Sequence, residues 1–201
     1  MLDSLPTATA LTEVLPGVLR WAVYSPAHKV ELTSHAVSVD GWMLIFDPIP
    51  LAPELCAGLL ASAGKRVVVL TNSNHERDSH RWSLEFAAPI WSLAGAFPHS
   101  VSVCSWRPNI TPPVSGWTVF PLIGGAPGEV AFFHANSSLM VFGDAVVNLP
   151  ERQLELLPAR YCEDIDQLRN SMMALPQFER AVFAHGQPLL SAASERIAAL
   201  L

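Results

Sequence analysis

The chain has 201 residues and a formal charge of −6, and half of its residues are hydrophobic whereas only 15% are charged. This composition excludes a disordered chain, and the few dispersed basic residues offer no surface of the kind that binds nucleic acid. No hydrophobic stretch approaches the roughly 20 residues that cross a bilayer, so we expect a soluble protein with no membrane segment.

Two further features bear on location and assembly. Residues 1–10 lack the basic residues of a secretory signal, and the three cysteines form no C-x-x-C pair. Together they predict a cytoplasmic protein with free thiols rather than a disulfide framework or a thiolate zinc site. The high apolar content favours a surface used for self-association, so a homodimer is expected.

The first half of the sequence predicts a hairpin followed by a βα alternation. The dipeptide Asp40-Gly41 is a typical hairpin turn, and Pro53 is typical of a helix start. In chain order we expect strands at 17–24, 35–39 and 42–46, a helix at 53–63, a buried strand at 66–70 and a helix around Trp82 and Phe86 that ends at Pro89.

The second half repeats this pattern after a proline-rich segment at 107–116, which we interpret as an internal hinge. We expect a strand at 117–123, a hairpin of 129–134 and 138–142, a helix at 164–175, a strand at 181–184 and a helix at 191–201. The order favours two mixed sheets packed face to face with helices outside. The prediction is therefore an α+β protein, a four-layer αββα sandwich, that forms a single domain over residues 1–201.

Polar segments directly follow four of the apolar strands, at 71–80, 124–128, 143–144 and 185–186. Loops at strand ends are where binding and catalytic sites are usually built. The alternative is that they are ordinary connections.

At these loops the chain resembles the metallo-β-lactamase superfamily. Five segments carry the resemblance, which covers most of the chain: V-D-G-W-M-L-I-F-D-P at 39–48, V-V-V-L-T at 67–71, P-L-I-G-G-A-P-G-E-V at 121–130, V-F-G-D-A-V at 141–146 and F-A-H-G-Q-P at 183–188. They are similar, in the same order, to the family's opening hairpin, the strand before its H-x-H-x-D-H loop, its H-T-P-G segment, its G-D segment and its H-G-x-P segment. The resemblance implies the αββα fold and a hydrolase acting on a small-molecule ester, thioester or amide.

The same alignment shows that most of the family's metal ligands are replaced. The two histidines of H-x-H become Asn72 and Asn74, the aspartate becomes Glu76, and the last histidine becomes Arg77. A further histidine falls at Gly125 or Gly124. Asp144 and His185 stand as the family has them, so the resemblance implies that these two residues carry any catalysis.

These replacements argue against a dinuclear zinc centre. Zinc prefers imidazole, thiolate or carboxylate ligands, whereas an asparagine amide is a poor ligand and a guanidinium is a fixed cation. The alternative is a site for a single divalent metal ion, with His75, Glu76, Asp144 and His185 as its candidate ligands. In one interpretation His75, Asp78 and His80 supply donors to such a shifted site with Asp144 and His185. In the other they are surface and capping residues, because Asp78 is well placed to cap the helix of Trp82.

Two functions therefore compete. The first is a metal-dependent hydrolase with a reduced metal site, lined at the motif loop by residues 72–78. The second is a non-catalytic binding or scaffold protein in which an Arg77–Asp144 ion pair replaces the metals and Asn72 and Asn74 complete a hydrogen-bond network.

Overall fold

The computed structural model describes residues 5–61, 64–97, 103–106 and 114–201. Seven strands form the first sheet, and their spatial order follows the sequence. They are β1 (Thr12–Leu15), β2 (Val18–Ser25), β3 (Val30–Val39), β4 (Trp42–Phe46), β5 (Lys65–Val69), β6 (Ile90–Leu93) and β7 (Val103–Trp106). Strands β1 to β4 are antiparallel neighbours, and β4 to β7 run parallel. Helices α1 (Pro53–Ala61) and α2 (Ser79–Phe86) make the crossovers from β4 to β5 and from β5 to β6, as parallel pairing requires.

The second sheet has four strands: β8 (Trp117–Pro121), β9 (Val130–His134), β10 (Leu139–Phe142) and β13 (Arg180–Phe183). Its order is β13-β10-β9-β8, with β13 parallel to β10 and the other pairs antiparallel. Between β10 and β13 lie a two-stranded ribbon of β11 (Val146–Val147) and β12 (Glu155–Leu156), a 3-10 turn at Ala159–Tyr161 and helix α3 (Ile165–Met173). Helix α4 (Ala193–Ala198) follows β13.

The alternation of side chains along each strand builds four layers. In β4, Met43 and Ile45 pack against α1 and α2, whereas Leu44 and Phe46 face the second sheet. The strands of the second sheet divide in the same way between the inter-sheet core and the core beneath α3 and α4. Because strand side chains alternate with a period of two, a strand that is apolar at every position needs a partner on both faces. Helix, sheet, sheet and helix are the result.

The α+β class and the αββα arrangement predicted from the sequence are confirmed. The turn at Asp40-Gly41 is also observed, with φ of +50° and +79°. Strands β1, β11 and β12 were not predicted, because each is four residues or fewer and none has a clear alternation. Residues 107–113 of the expected hinge lie outside the described residues. None of the helices in the described ranges combines the length and the apolar character that crossing a membrane requires.

Candidate functional site

Five polar side chains meet at one edge of the sandwich. Asp47 directly follows β4, Thr71 comes two residues after β5, and Asp144 and His185 each come two residues after β10 and β13. Glu129 directly precedes β9, which is antiparallel to β10, so the start of β9 and the end of β10 share an edge. The parallel arrangement thus explains why loops distant in sequence converge here.

The loop after β5 is folded by its own polar groups. The Asn72 side-chain oxygen accepts a hydrogen bond from the Asn74 backbone N–H at 2.9 Å, and the His75 N–H bonds the Asn72 carbonyl at 3.3 Å. Arg77 then adopts φ of +43°, a left-handed conformation that is costly for a bulky residue. These local bonds and the turn bring the His75 ring inward and leave the Asn74 and Glu76 side chains outside.

His75 is the centre of the site. Its Nδ1 lies 2.9 Å from Asp47 Oδ2 and 3.0 Å from Thr71 Oγ1, and its Nε2 lies 3.1 Å from Asp144 Oδ1. Asp47 is a pure acceptor when ionised, and it already accepts from the Thr71 N–H at 2.8 Å and the Thr71 hydroxyl at 2.5 Å. His75 Nδ1 therefore carries a proton that it donates to Asp47.

His185 faces the same carboxylate oxygen from the other side. Its Nδ1 lies 2.9 Å from the Glu31 carbonyl oxygen, and its Nε2 lies 3.0 Å from Asp144 Oδ1. A carbonyl can only accept, so Nδ1 carries the proton, and a neutral ring then presents the Nε2 lone pair to a carboxylate oxygen. Two acceptors at this separation repel each other unless a cation, either a proton or a metal ion, lies between them.

Asn72 and Glu129 close the site on the third side. The Asn72 side-chain amide donates to Glu129 Oε2 at 2.7 Å and to Asp144 Oδ2 at 3.0 Å. The other Glu129 oxygen accepts from the Ala145 N–H at 3.0 Å. Asn72 thus occupies one oxygen of Asp144 and leaves the other to the two imidazoles.

The charges within this buried cluster are strongly coupled. Burial and the nearby Arg77 lower the pKa of His75, but the Asp144 and Asp47 carboxylates outweigh them and raise it to about 9. Burial and the Asp144 charge raise the pKa of Glu129 to about 8. For Asp144, burial is outweighed by His75 and His185, and its pKa lies well below the usual value.

His185 differs from His75 in charge. Burial lowers the pKa of His185 and outweighs the attraction of Asp144, which favours the neutral ring. At neutral pH these shifts favour an imidazolium at His75, ionised Asp47 and Asp144 and a protonated Glu129, whereas a neutral His185 leaves its Nε2 lone pair opposite Asp144 Oδ1, the position that a cation would fill.

The direct Arg77–Asp144 ion pair expected from the sequence is not formed. The Arg77 guanidinium donates to the carbonyls of Thr33 at 2.8 Å and Asp47 at 3.0 Å, and it lies 3.4 Å from that of Ala184. Its remaining contact is His75 Nε2 at 3.3 Å. Among the described residues, the ion pairs of Asp144 are those with His75 and His185. His75 therefore stands between the two groups that we expected to pair, and the three carbonyls satisfy the guanidinium instead.

Glu76 and Asp78 are not part of the cluster. The half-exposed Glu76 carboxylate pairs with His80 at 2.8 Å on the protein surface, at the start of α2. Glu76 is therefore not one of the candidate metal ligands. Asp78 is the N-cap residue of α2, as the sequence suggested, but its side chain makes no capping hydrogen bond. It lies 3.7 Å from Arg81 instead.

Two residues of the site, Asp47 and Glu129, were not predicted from the sequence. Asp47 was not among the predicted site residues, yet it is buried and contacts Thr71 and His75. Glu129 was passed over because the missing histidine was sought at Gly125 or Gly124. The signal for Glu129 was a single acidic residue between the turn Pro127-Gly128 and an apolar strand, a position where burial demands a partner.

Gly143 is fixed by the crowding of this site, which gives a first testable prediction. A Cβ at this position would lie 2.5 Å from Thr71 Oγ1 and 2.6 Å from Glu129 Oε1. We expect Gly143→Ala to lower the free energy of unfolding by about 1–3 kcal/mol, because overpacking forces these groups apart. Urea denaturation measures the change.

Gly58→Ala is the matched control, because Gly58 lies in α1 and a Cβ there meets nothing within 4 Å. This substitution should stabilise the protein by up to about 1 kcal/mol through helix propensity. Equal unfolding midpoints for the two variants would contradict the packing that we describe.

The cluster offers the ligands of one divalent cation. The ligand atoms of His75, Asp144 and His185 all lie within 4.8 Å of one another. Two imidazoles and a carboxylate suit zinc and similar ions, and three protein ligands are the number found in catalytic zinc sites. In the part of the chain that the structure describes, this is the one such cluster of histidine, cysteine and acidic side chains.

Solved structures with the same fold are numerous. The DIM-1 metallo-β-lactamase exposed to ceftazidime matches with a TM-score of 0.76 at 16% identity, covering 98% of both chains. The metallo-β-lactamase FIM-1 from Pseudomonas aeruginosa, in its mono-zinc form, matches with a TM-score of 0.71 at 12% identity over 98% of this chain and 96% of that one. A metallo-β-lactamase from Erythrobacter litoralis matches with a TM-score of 0.69 at 13% identity over 94% of each chain. No protein-family model and no curated protein matches the sequence.

Proposed function

We propose that this protein, whose chain has the metallo-β-lactamase fold, is a hydrolase that works with a single divalent metal ion held by His75, Asp144 and His185. The proposal depends on one observation: the Nε2 atoms of His75 and His185 both face Asp144 Oδ1, at 3.1 Å and 3.0 Å. Each imidazole has its Nδ1 engaged, by Asp47 for His75 and by the Glu31 carbonyl for His185. Outer partners of this kind fix the tautomer of metal-binding histidines.

A single ion is favoured over two because of what surrounds the cluster. Asn72 replaces a histidine of the family's motif loop and makes hydrogen bonds to Glu129 and Asp144, and the Asn74 side chain is exposed. An amide and a protonated carboxyl group are weak zinc ligands. The FIM-1 protein of similar fold has been solved with one zinc ion, which supports a mononuclear site in this architecture.

Asn72, Asp144 and His185 would have separate roles around the metal ion. A divalent cation with three protein ligands supplies a Lewis acid and an acidified water molecule. Asn72 holds Asp144 Oδ2 at 3.0 Å and so directs Oδ1 toward the two imidazoles. The side chains of Asp144 and His185 are 13% and 11% exposed, so the cluster is reached from solvent through these two residues rather than through the buried His75.

A second candidate function is supported by the charge of His75. Its pKa of about 9 makes it an imidazolium at neutral pH, bridging Asp47 and Asp144 in the place of a metal ion. Arg77 at 3.3 Å from Nε2 adds a further fixed cation. This arrangement corresponds to a non-catalytic binding or scaffold protein whose former metal site is filled by a cationic side chain.

Metal content separates the two candidates. We expect protein purified without chelator to contain one divalent ion per chain by elemental analysis. Dialysis against chelator and titration with Zn²⁺ in a calorimeter should give one site. The variant His185→Asn should lose it, whereas His28→Asn is a control, since His28 bonds Ser25.

Hydrolysis of a panel of small esters, thioesters and amides by the metal-loaded protein, lost in the same variant, would complete the proposal. The absence of any zinc site by calorimetry between pH 7 and 9 would contradict it and favour the metal-free candidate. Two ions per chain would contradict both.

A further inference from the structure

Arg20 connects the two segments on which the orientation of His185 depends. One nitrogen of its guanidinium donates to the Glu31 carboxylate at 2.6 Å and to the Gly186 carbonyl at 3.2 Å. Glu31 belongs to β3 of the first sheet, and Gly186 belongs to the loop after β13 of the second sheet. The contact therefore spans the two sheets beside the candidate site.

The Glu31 residue serves His185 through its backbone. Its carbonyl oxygen accepts the Nδ1–H of His185 at 2.9 Å, while its side chain is held by Arg20. Gly186, the neighbour of His185, is held by the same arginine nitrogen. One cation thus contacts both Glu31, which accepts the His185 hydrogen bond, and Gly186, which follows His185 in the chain.

Backbone contacts also hold this loop: the Asn148 N–H donates to the His185 carbonyl at 3.1 Å, and the Thr33 N–H donates to the Ala184 carbonyl at 2.9 Å. Thr33 Oγ1 lies 3.5 Å from the Gly186 carbonyl and 3.3 Å from its N–H. The Arg20–Glu31 pair is shorter and charge-assisted, and the two side chains are 14% and 28% exposed, so solvent screens it only in part. Arg20 is distinct from these backbone contacts because it joins the Glu31 side chain and the Gly186 carbonyl through one charged group.

We propose that Arg20 is a positioning residue for His185. By tying Glu31 to Gly186, Arg20 keeps the Glu31 carbonyl against Nδ1, so that the ring holds its Nδ1–H tautomer and Nε2 faces Asp144. The arginine itself contacts none of the three ligand atoms. The metal-related part of this inference rests on the proposed function, but the tautomer does not.

The first test uses the metal-free protein. Ring ¹⁵N chemical shifts of His185 report which nitrogens carry a proton, and in wild type Nδ1 should be protonated because the Glu31 carbonyl can only accept. In Arg20→Ala we expect a mixture of tautomers. The matched control is Arg152→Ala, which removes a comparable but exposed pair with Glu155 at 3.1 Å and should leave the His185 shifts unchanged.

The second test measures Zn²⁺ affinity by calorimetry. Loss of an outer partner typically weakens metal binding about 10- to 100-fold. Arg20→Ala loosens the Glu31 carbonyl without removing it, so we expect a loss toward the lower end of that range, and none in Arg152→Ala. Arg20→Lys should recover part of the affinity, since an ammonium group can still reach the Glu31 carboxylate. Glu31→Gln keeps the backbone carbonyl and weakens only the ion pair, so it should shift the tautomer in the same direction by less.

The outcomes are distinguishable. A folded Arg20→Ala or Glu31→Gln protein with wild-type His185 shifts would overturn the inference about Arg20. If wild type binds no Zn²⁺, the proposed function fails, while the tautomer in the metal-free protein still decides the role of Arg20. If Arg20→Ala does not fold, the Glu31→Gln and Arg20→Lys variants supply the decision.

Discussion

Replacing Asp47 by alanine is expected to lower the free energy of unfolding by about 3–5 kcal/mol, the cost of removing one partner from a buried charge pair. Asp47 is 2% exposed and accepts from the Thr71 N–H, the Thr71 hydroxyl and His75 Nδ1. Burial raises the pKa of this carboxyl, but His75, Arg77 and Thr71 together lower it by more than burial raises it. Asp47 is therefore ionised at neutral pH. Alanine leaves the Thr71 N–H and the His75 imidazolium unpaired in the interior.

Asp40→Ala provides the matched control. Asp40 and Asp47 lie at the two ends of β4 with similar positive φ values, +50° and +46°, so both substitutions place alanine in a left-handed conformation. The Asp40 side chain is 55% exposed and lies 3.6 Å from His134 Nε2, so its variant reports the backbone cost together with one long surface contact. Urea denaturation should show a difference of several kcal/mol between the variants. Equal losses would mean that the Asp47 contacts contribute nothing beyond backbone strain.

The layers of the fold could be predicted because they follow from the alternation of apolar side chains. The segment Arg66–Leu70 is apolar at four consecutive positions, which indicated a strand covered on both faces, and the structure covers it with α1 and α2 on one side and the second sheet on the other. The hairpin turn was equally clear from the dipeptide Asp40-Gly41, and both positions adopt the positive φ that such a turn requires. These are local patterns, and local patterns are visible in sequence.

The site was harder to predict because its contacts join residues far apart in the chain. Asp144 and His185 could be found by resemblance, whereas the inward turn of His75 depends on a left-handed Arg77 and on Asp47, 28 residues away. Arg77 was placed opposite Asp144 because a buried carboxylate needs a partner, and in the structure His75 and His185 are the partners of Asp144. The position of Arg77 could not be predicted in the same way. Its guanidinium contacts three backbone carbonyls instead of that carboxylate.

The second large effect is expected in the pH dependence of stability of the metal-free protein. The pKa of His75 is raised to about 9 from 6.5, so its stabilising charge is fully present below pH 6.5 and is lost as the pH rises through 9. This difference corresponds to about 3 kcal/mol. The pKa of Glu129 is raised to about 8 from 4.5, so the folded state holds a proton that the unfolded state releases above pH 4.5. Stability from this group also falls as the pH rises toward 8.

Three further groups oppose this trend at low pH. Burial lowers the pKa of His35 to about 3, so below pH 6.5 the unfolded state binds a proton that the folded state does not bind. The pKa values of Asp47 and Asp144 are lowered, and their contribution is lost as the pH falls below about 4. His35 offsets Glu129 between pH 4.5 and 6.5, whereas above pH 6.5 His75 and Glu129 act in the same direction. Stability should therefore be greatest near pH 6.

The expected result is a urea midpoint that declines steadily from pH 6.5 to pH 9 in chelator-treated protein. Most proteins are most stable somewhere between about pH 5 and pH 8, so a fall that begins at 6.5 and exceeds 3 kcal/mol is diagnostic. Glu129→Gln should remove the Glu129 share of the slope below pH 8, because the amide mimics the protonated carboxyl group, and the share of His75 should remain. His75→Gln should flatten the part that extends to pH 9, although the protein is weaker throughout. A midpoint that rises between pH 6.5 and 8 would show that the cluster is not charged as its geometry implies. Saturating Zn²⁺ should reverse the slope, because a metal ion on His75 Nε2 takes the place of the proton that is lost.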